Sequence, residues 1–397
     1  MENKKLRIAI VVHGRFHGFD LARALLERGH EVVLFTNYPK WAVARFSFPI
    51  KGVKSFWIHG VLFRFFEFLH KTIGVALPEA WLNKLFGQWA ARQLAKEYWD
   101  VIHPWSGISE ELLRKLKKTS SLKLLMRGSS SIRTQRRLLM EEEKRVNRQL
   151  DRPSAWILSR EEREYALADK VVVLSTFCQQ SFIEEGFPAE KLCVLLSGVK
   201  NENFRPSISI IKTRCERILS NQPLHILYVG ALMFRKGMWD SAKIVRNLQN
   251  QKFKFRFVGS VKSEVKKLVQ NISNLAEFIP SQPQHTLPEW YAWGDVFIFP
   301  TIEEGAPVVL GQANASGLPI LTTPNGSGPD FIREDENGWV LPIRNSEAFI
   351  ERLLWCDAHR KELAGMVWKI YNNFQSRDWS EVAKDFEKIC MKNLKKK

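Results

Sequence analysis

Between residues 295 and 323 an apolar run, a glycine-containing turn and a helical pattern follow one another almost without a spacer, and few folds can use that succession. Residues 295–299 read as a buried strand, Pro300 and Thr301 close it, and residues 308–315 carry helical spacing. In an open α/β sheet such a strand delivers a ligand site at its carboxyl edge. Glu304 falls in the turn, Gly305 lets the backbone approach a ligand, and the helix start after Ala306 and Pro307 favours an anion such as phosphate. Gln312 lies eight residues after Glu304, a little over two helical turns, so both side chains can line one crevice.

The same alternation runs through both halves of the chain. Strands are predicted at 6–12, 31–35, 101–102, 122–126 and 170–174, with a helix at 19–27; His103 and Arg127 stand at carboxyl ends and are cleft candidates. The first strand leads into the loop HGRFHG, which supplies Gly14 and Gly18 without forming a dinucleotide fingerprint. After the polar stretch 197–206 a second series begins with a strand at 224–229, Gly230, and then Arg235, Lys236 and Gly237, a turn able to present two cations to a diphosphate. Gly259 and Ile279 end two further strands whose backbone groups can hold a nucleobase, and Gly326 lies in a glycine-rich turn, 324–330, near the same edge. The fold class is therefore α/β, with two Rossmann-like parallel-sheet domains, residues 1–205 and 206–375.

Composition narrows the setting. Five scattered cysteines without metal-ligand spacing suit a reducing compartment, the basic start reads as a first strand rather than a signal peptide, and no apolar run reaches the roughly 18 to 20 residues that span a bilayer. The expected location is cytoplasmic, free or peripheral on the inner face of the membrane. A net charge of +18 attracts polyanionic surfaces, and residues 40–97 hold nine Lys or Arg against three Glu, with Phe63, Phe65, Phe66 and Phe68 interleaved with Arg64 and His70. That mixture suits a helix in an anionic bilayer interface; it suits equally a helix pair whose aromatics fill the core. Nucleic acid is not an expected partner, because no zinc-finger, RNP-like or basic-zipper pattern accompanies the charge.

The segment with Glu304, Gly305 and Gln312, together with LYVGALMFRKG, resembles the nucleotide-sugar motif of the retaining family 4 glycosyltransferases of the GT-B fold. The resemblance is nearly continuous from Leu224 to Glu347 and more diffuse in the first domain. It implies two domains facing a central cleft, a last helix over about 376–397 crossing back to the first domain, and transfer of a sugar from a nucleotide diphosphate, a UDP-sugar first of all, to a glycan or lipid-linked acceptor of a bacterial surface glycan. Glu304 would contact the donor sugar, Gln312 stands where a glutamate holds the ribose, and Lys236, with Arg235 in place of an arginine where Ala231 stands, would counter the diphosphate without a metal or other cofactor. The family is thought to use front-face attack, the departing phosphate taking the acceptor's proton. The family's first-domain histidine positions fall on Arg127 and Ser131 here, which leaves His103 to orient sugar or acceptor. Two other classes fit parts of the sequence: a nucleotide-sugar binder that kept the fold without turnover, favoured by Gln312, Ala231 and Ser131, and a basic scaffold or nucleic-acid-binding protein, favoured by charge alone.

Overall fold

The computed structural model describes residues 5–198, 202–249, 252–375 and 377–395; part of the 197–206 stretch thus lies outside the described residues. The chain builds two all-parallel sheets. The first comprises β1 (Arg7–Val12), β2 (Glu31–Thr36), β3 (Val53–Ser55), β4 (Val101–Pro104), β5 (Leu122–Arg127), β6 (Lys170–Val173) and β7 (Leu192–Val194), in the order β3-β2-β1-β4-β5-β6-β7. The second comprises β8 (Leu224–Val229), β9 (Phe253–Val258), β10 (Ala276–Ile279), β11 (Val296–Phe299), β12 (Ile320–Thr322) and β13 (Gly338–Val340), in the order β10-β9-β8-β11-β12-β13. Helices on both faces explain why the central strands are apolar without alternation: Ile8 to Val12 and Val296 to Phe299 are all fully buried. Strand order reverses between β1 and β4 and again between β8 and β11, and ligand crevices open outside such reversals.

Two helices tie the units together. Trp379–Leu394, capped by the Asp378 carboxylate accepting from the Ser380 and Glu381 N–H groups, sinks Val382, Ala383, Phe386 and Cys390 into the first core. Glu387 on this helix accepts from Arg28 Nε and Nη2 at 2.5 and 2.6 Å and lies 2.7 Å from His30 Nε2. The helix Ile132–Val146 belongs to the first unit by sequence, yet its Leu139 and Val146 join the second core, and its Arg145 pairs with Asp240 while Glu142 accepts from Arg344.

The aromatic segment forms a helix pair whose members differ in exposure. Glu79–Leu94 buries Leu82, Phe86, Ala90 and Leu94. Trp57–Ile73 leaves Trp57, Ile58, Val61, Phe65, Phe68 and Ile73 more than one third exposed, spaced along one side of the helix. No helix among the described residues is long and apolar enough to cross a membrane.

Candidate active site

The second unit brings its predicted residues to one edge. Gly237 takes φ +78°, and a Cβ there would overlap the Pro300 carbonyl, so the cation-bearing turn lies against the end of β11. Ile302 N donates to Arg235 O at 2.8 Å and Thr301 Oγ1 donates to the same oxygen at 3.3 Å, which fixes the turn to the Glu304 loop. Lys236 Nζ stands 3.1 Å and Arg235 Nη2 3.4 Å from Glu304 Oε1. Both are ion-pair distances without aligned hydrogen bonds. The Glu304 N–H donates to Asn325 O at 3.0 Å, and Gly326 packs beside the Glu304 side chain. Burial opposes the Arg235 charge, but Glu304 and Glu303 outweigh it and raise its pKa.

A cleft of about 760 Å³ lies between the units. Gly230, Gly259, Ala306 and Gln312 line it from the second unit, with Val308 and Val309 of the helix Val308–Ala315, whose start Pro307 caps, while Ile279 stays behind the wall and accepts from the Gly259 N–H at 2.9 Å. Gln312 Oε1 accepts from the Tyr291 hydroxyl at 2.9 Å, so the amide N–H is what this side chain has left to offer a ligand. Glu304, Arg235 and Lys236 form their own cluster in the adjoining turn and are not part of the cleft wall.

The residue before Glu304, which sequence reasoning passed over, makes a fully buried contact between the units. Glu303 is fully buried; its Oε1 accepts from Ser130 N at 3.0 Å and Ser130 Oγ at 2.8 Å, and its Oε2 from Gln135 Nε2 at 3.0 Å and Arg235 Nη1 at 3.2 Å. Burial works against its charge, but Arg235 and the Ser130 donors win and hold its carboxyl below the usual range. A Cβ on Gly305 would overlap Gly128 O, so this glycine serves the approach of the two units. Only the doubled glutamate hinted at this in the sequence.

The first unit contributes Arg15, Phe16 and His17 to the cleft, from the loop between β1 and the helix Gly18–Glu27, together with Arg23 and Arg45. Gly14, at φ +84°, donates to Asn37 Oδ1 at 2.8 Å, and Gly18 packs against Trp105; neither lines the cleft. His103 and Arg127 are likewise placed away from it. His103 is fully buried between Trp105 and Phe386, 2.7 Å from Leu124 O, and burial pushes its pKa down to about 3. Arg127 spends its donors on Ser130 O, Glu161 and Gln135, supporting the loop that Glu303 grips. Ser131 caps the helix Ile132–Val146, accepting from Thr134 N.

Residues 16–203 match the model of Glycosyltransferase Family 4, and residues 223–357 that of Glycosyl transferases group 1. The chain belongs to family 4 of the glycosyltransferases. Among curated relatives, this family 4 chain is similar to the amylovoran biosynthesis glycosyltransferase AmsK of Erwinia amylovora, 26% identical over 204 residues, 48% of either chain. It is also similar to the putative colanic acid biosynthesis glycosyltransferase WcaL of Escherichia coli, 27% identical over 180 residues, 42% of either chain. The aligned region is about half the length of these curated relatives. Among solved structures, HepE of Anabaena in complex with UDP superposes with a TM-score of 0.68 at 15% identity, covering 98% of this chain and 100% of that one. Sucrose-phosphate synthase of Thermosynechococcus elongatus superposes at 0.72 and 18% identity, covering 99% and 100%. The fold is GT-B.

Proposed function

We propose that this family 4 chain transfers a sugar, with retention, from a UDP-sugar to a glycan or lipid-linked acceptor in the assembly of a bacterial surface polysaccharide, working in the cytoplasm against the membrane. The observation that carries the reading is the convergence of Glu304, Lys236 and Arg235 at the carboxyl edge of β11, beside a helix start that opens on the interdomain cleft. Opposite charges held at that edge suit a donor that is both a diphosphate and a polyol. The diphosphate draws Lys236 and Arg235 off Glu304, which frees the carboxylate for sugar hydroxyls, while the Gln312 amide meets the ribose and Gly230 and Gly259 admit the nucleotide along the strand ends. The chemistry is then a matter of positioning and of stabilising the leaving diphosphate. Support for the class of product comes from AmsK and WcaL, named for two exopolysaccharides, and support for the donor from the HepE complexes with UDP and UDP-glucose.

Thermal stabilisation by UDP, GDP, ADP and CMP tests the donor. A nucleotide at one hundred times its dissociation constant adds about 2.7 kcal/mol. UDP and UDP-sugars are expected to raise Tm; a rise confined to another nucleotide replaces the base, and no rise with any of them removes the donor reading. The exposed face of Trp57–Ile73 and the surplus of basic residues in 40–97 support a membrane contact through this helix. Vesicles containing anionic lipid should bind the protein more tightly than neutral ones, with the difference fading as salt rises. Equal binding to both would leave the chain without a membrane role.

A further inference from the structure

A second cavity, of about 270 Å³, opens on the other side of the loop that walls the donor cleft. One loop serves both: Arg15, Phe16 and His17 face the cleft, His13, Gly14 and Phe16 face the second cavity, and Phe16 is shared. Phe16 holds a left-handed φ of +38° and is 59% exposed, a conformation uncommon for an aromatic residue and one that keeps its ring at the partition. Around the cavity stand Tyr38, Trp57 and Phe63, and Asn37, Arg64 and Glu67 complete the lining.

The cavity combines flat apolar rings with an unused polar atom. The His13 ring lies 6.1 Å from the Phe16 ring and 6.3 Å from that of Phe63, and its Nδ1 is buried without a hydrogen-bond partner. Burial holds the imidazole neutral at pH 7 by pushing its pKa down to about 4. A buried polar atom left unpaired is costly unless a ligand or water completes it. Aromatic faces set among polar side chains, the His13 nitrogen with Asn37, Arg64 and Glu67 of the same lining, match a sugar ring, which offers C–H faces and hydroxyl edges. The outer wall is the helix Trp57–Ile73. Gly60 sits against the Asn37 carbonyl and Phe63 faces the cavity, whereas Val61, Phe65 and Phe68 continue from its rim into solvent at 56%, 53% and 62% exposure. Basic residues predominate around this exposed stripe, which fits an anionic bilayer as its occupant.

We infer that the aromatic slot beside His13 receives the sugar ring of an acceptor carried on a lipid, the lipid leaving along the exposed stripe of Trp57–Ile73 into the bilayer. The inference rests on the glycosyl-transfer reading and names the acceptor class for it: a sugar head on an apolar tail, delivered from the membrane side to the loop that borders the donor.

Octyl β-D-glucopyranoside below its micellar concentration is the probe, with glucose and octanol as controls, its binding to the full chain read by saturation-transfer NMR. Wild type is expected to transfer saturation to ring and alkyl protons alike. W57A and H13A should each weaken binding at least fivefold while UDP still stabilises both variants. Trp57 is 54% exposed, so W57A carries the test should H13A fold poorly. Unchanged affinity in W57A, or complete displacement by octanol with no signal on the ring protons, would overturn the slot. If UDP stabilises neither wild type nor variants while glucoside binding still depends on Trp57, the slot stands and the donor reading falls.

Discussion

K236A is expected to lower transfer about 10²-fold while costing only about 1 kcal/mol of stability. Lys236 meets Glu304 Oε1 at 3.1 Å with one fifth of its side chain exposed, so removing it leaves no buried charge stranded; Arg235 remains 3.4 Å from the same oxygen. What the variant loses is a cation for the charge that develops on the departing diphosphate. UDP stabilisation should therefore shrink along with turnover. E304Q separates the two roles. Its amide keeps the shape and part of the hydrogen bonding but no longer neutralises Lys236 and Arg235, so UDP should stabilise this variant at least as well as wild type although transfer drops tenfold or more. Steady-state kinetics beside UDP-induced Tm shifts will show the pattern. Wild-type turnover in both variants would remove these residues from the donor site.

E303A should be the most destabilising substitution at the cleft, by about 3 to 5 kcal/mol, or on the order of 10 °C in Tm. The carboxylate is fully buried and satisfies donors from both units, Ser130 and Gln135 on one side and Arg235 on the other. Truncation strands the Ser130 N–H and leaves Arg235 without one of its two counter-charges. The pH dependence follows from the direction of the shift. The folded carboxyl titrates below the ordinary glutamate value, so its contribution is complete above about pH 5 and is lost as pH falls through the lowered value. Wild type should accordingly lose more stability than E303A between neutral pH and pH 3 in thermal unfolding. Parallel acid profiles would mean that Glu303 is not ionised in the clamp.

Much of this protein was legible in order along the chain. Strand, turn and helix around Glu304 depend on neighbours within a few residues, so apolar runs, glycines and helical spacing located β8, β11 and Val308–Ala315 with few errors at their ends. The same local chemistry placed two cations and a carboxylate on adjoining turns, where they meet. His103 and Arg127 stood at strand ends, as cleft residues do, but whether a strand-end side chain faces a crevice or the core depends on what packs over it. Phe386 of the returning helix covers His103, and Glu161 with Gln135 holds Arg127.

Sequence alone determined the two parallel sheets, the meeting of two cations and a carboxylate at one sheet edge and the aromatic, basic character of residues 40–97, because each is written in short-range pattern. Tertiary structure alone decided that Glu303 joins the units while Glu304 meets Lys236, that Trp57–Ile73 exposes Trp57, Phe65 and Phe68 where Glu79–Leu94 buries Phe86 and exposes Trp81, and that one loop parts two cavities. Each of those outcomes turns on groups distant in sequence, Ser130 against Glu303 or Asn37 against Gly60, and a pairing of that kind exists only once the sheets have brought both partners to one edge.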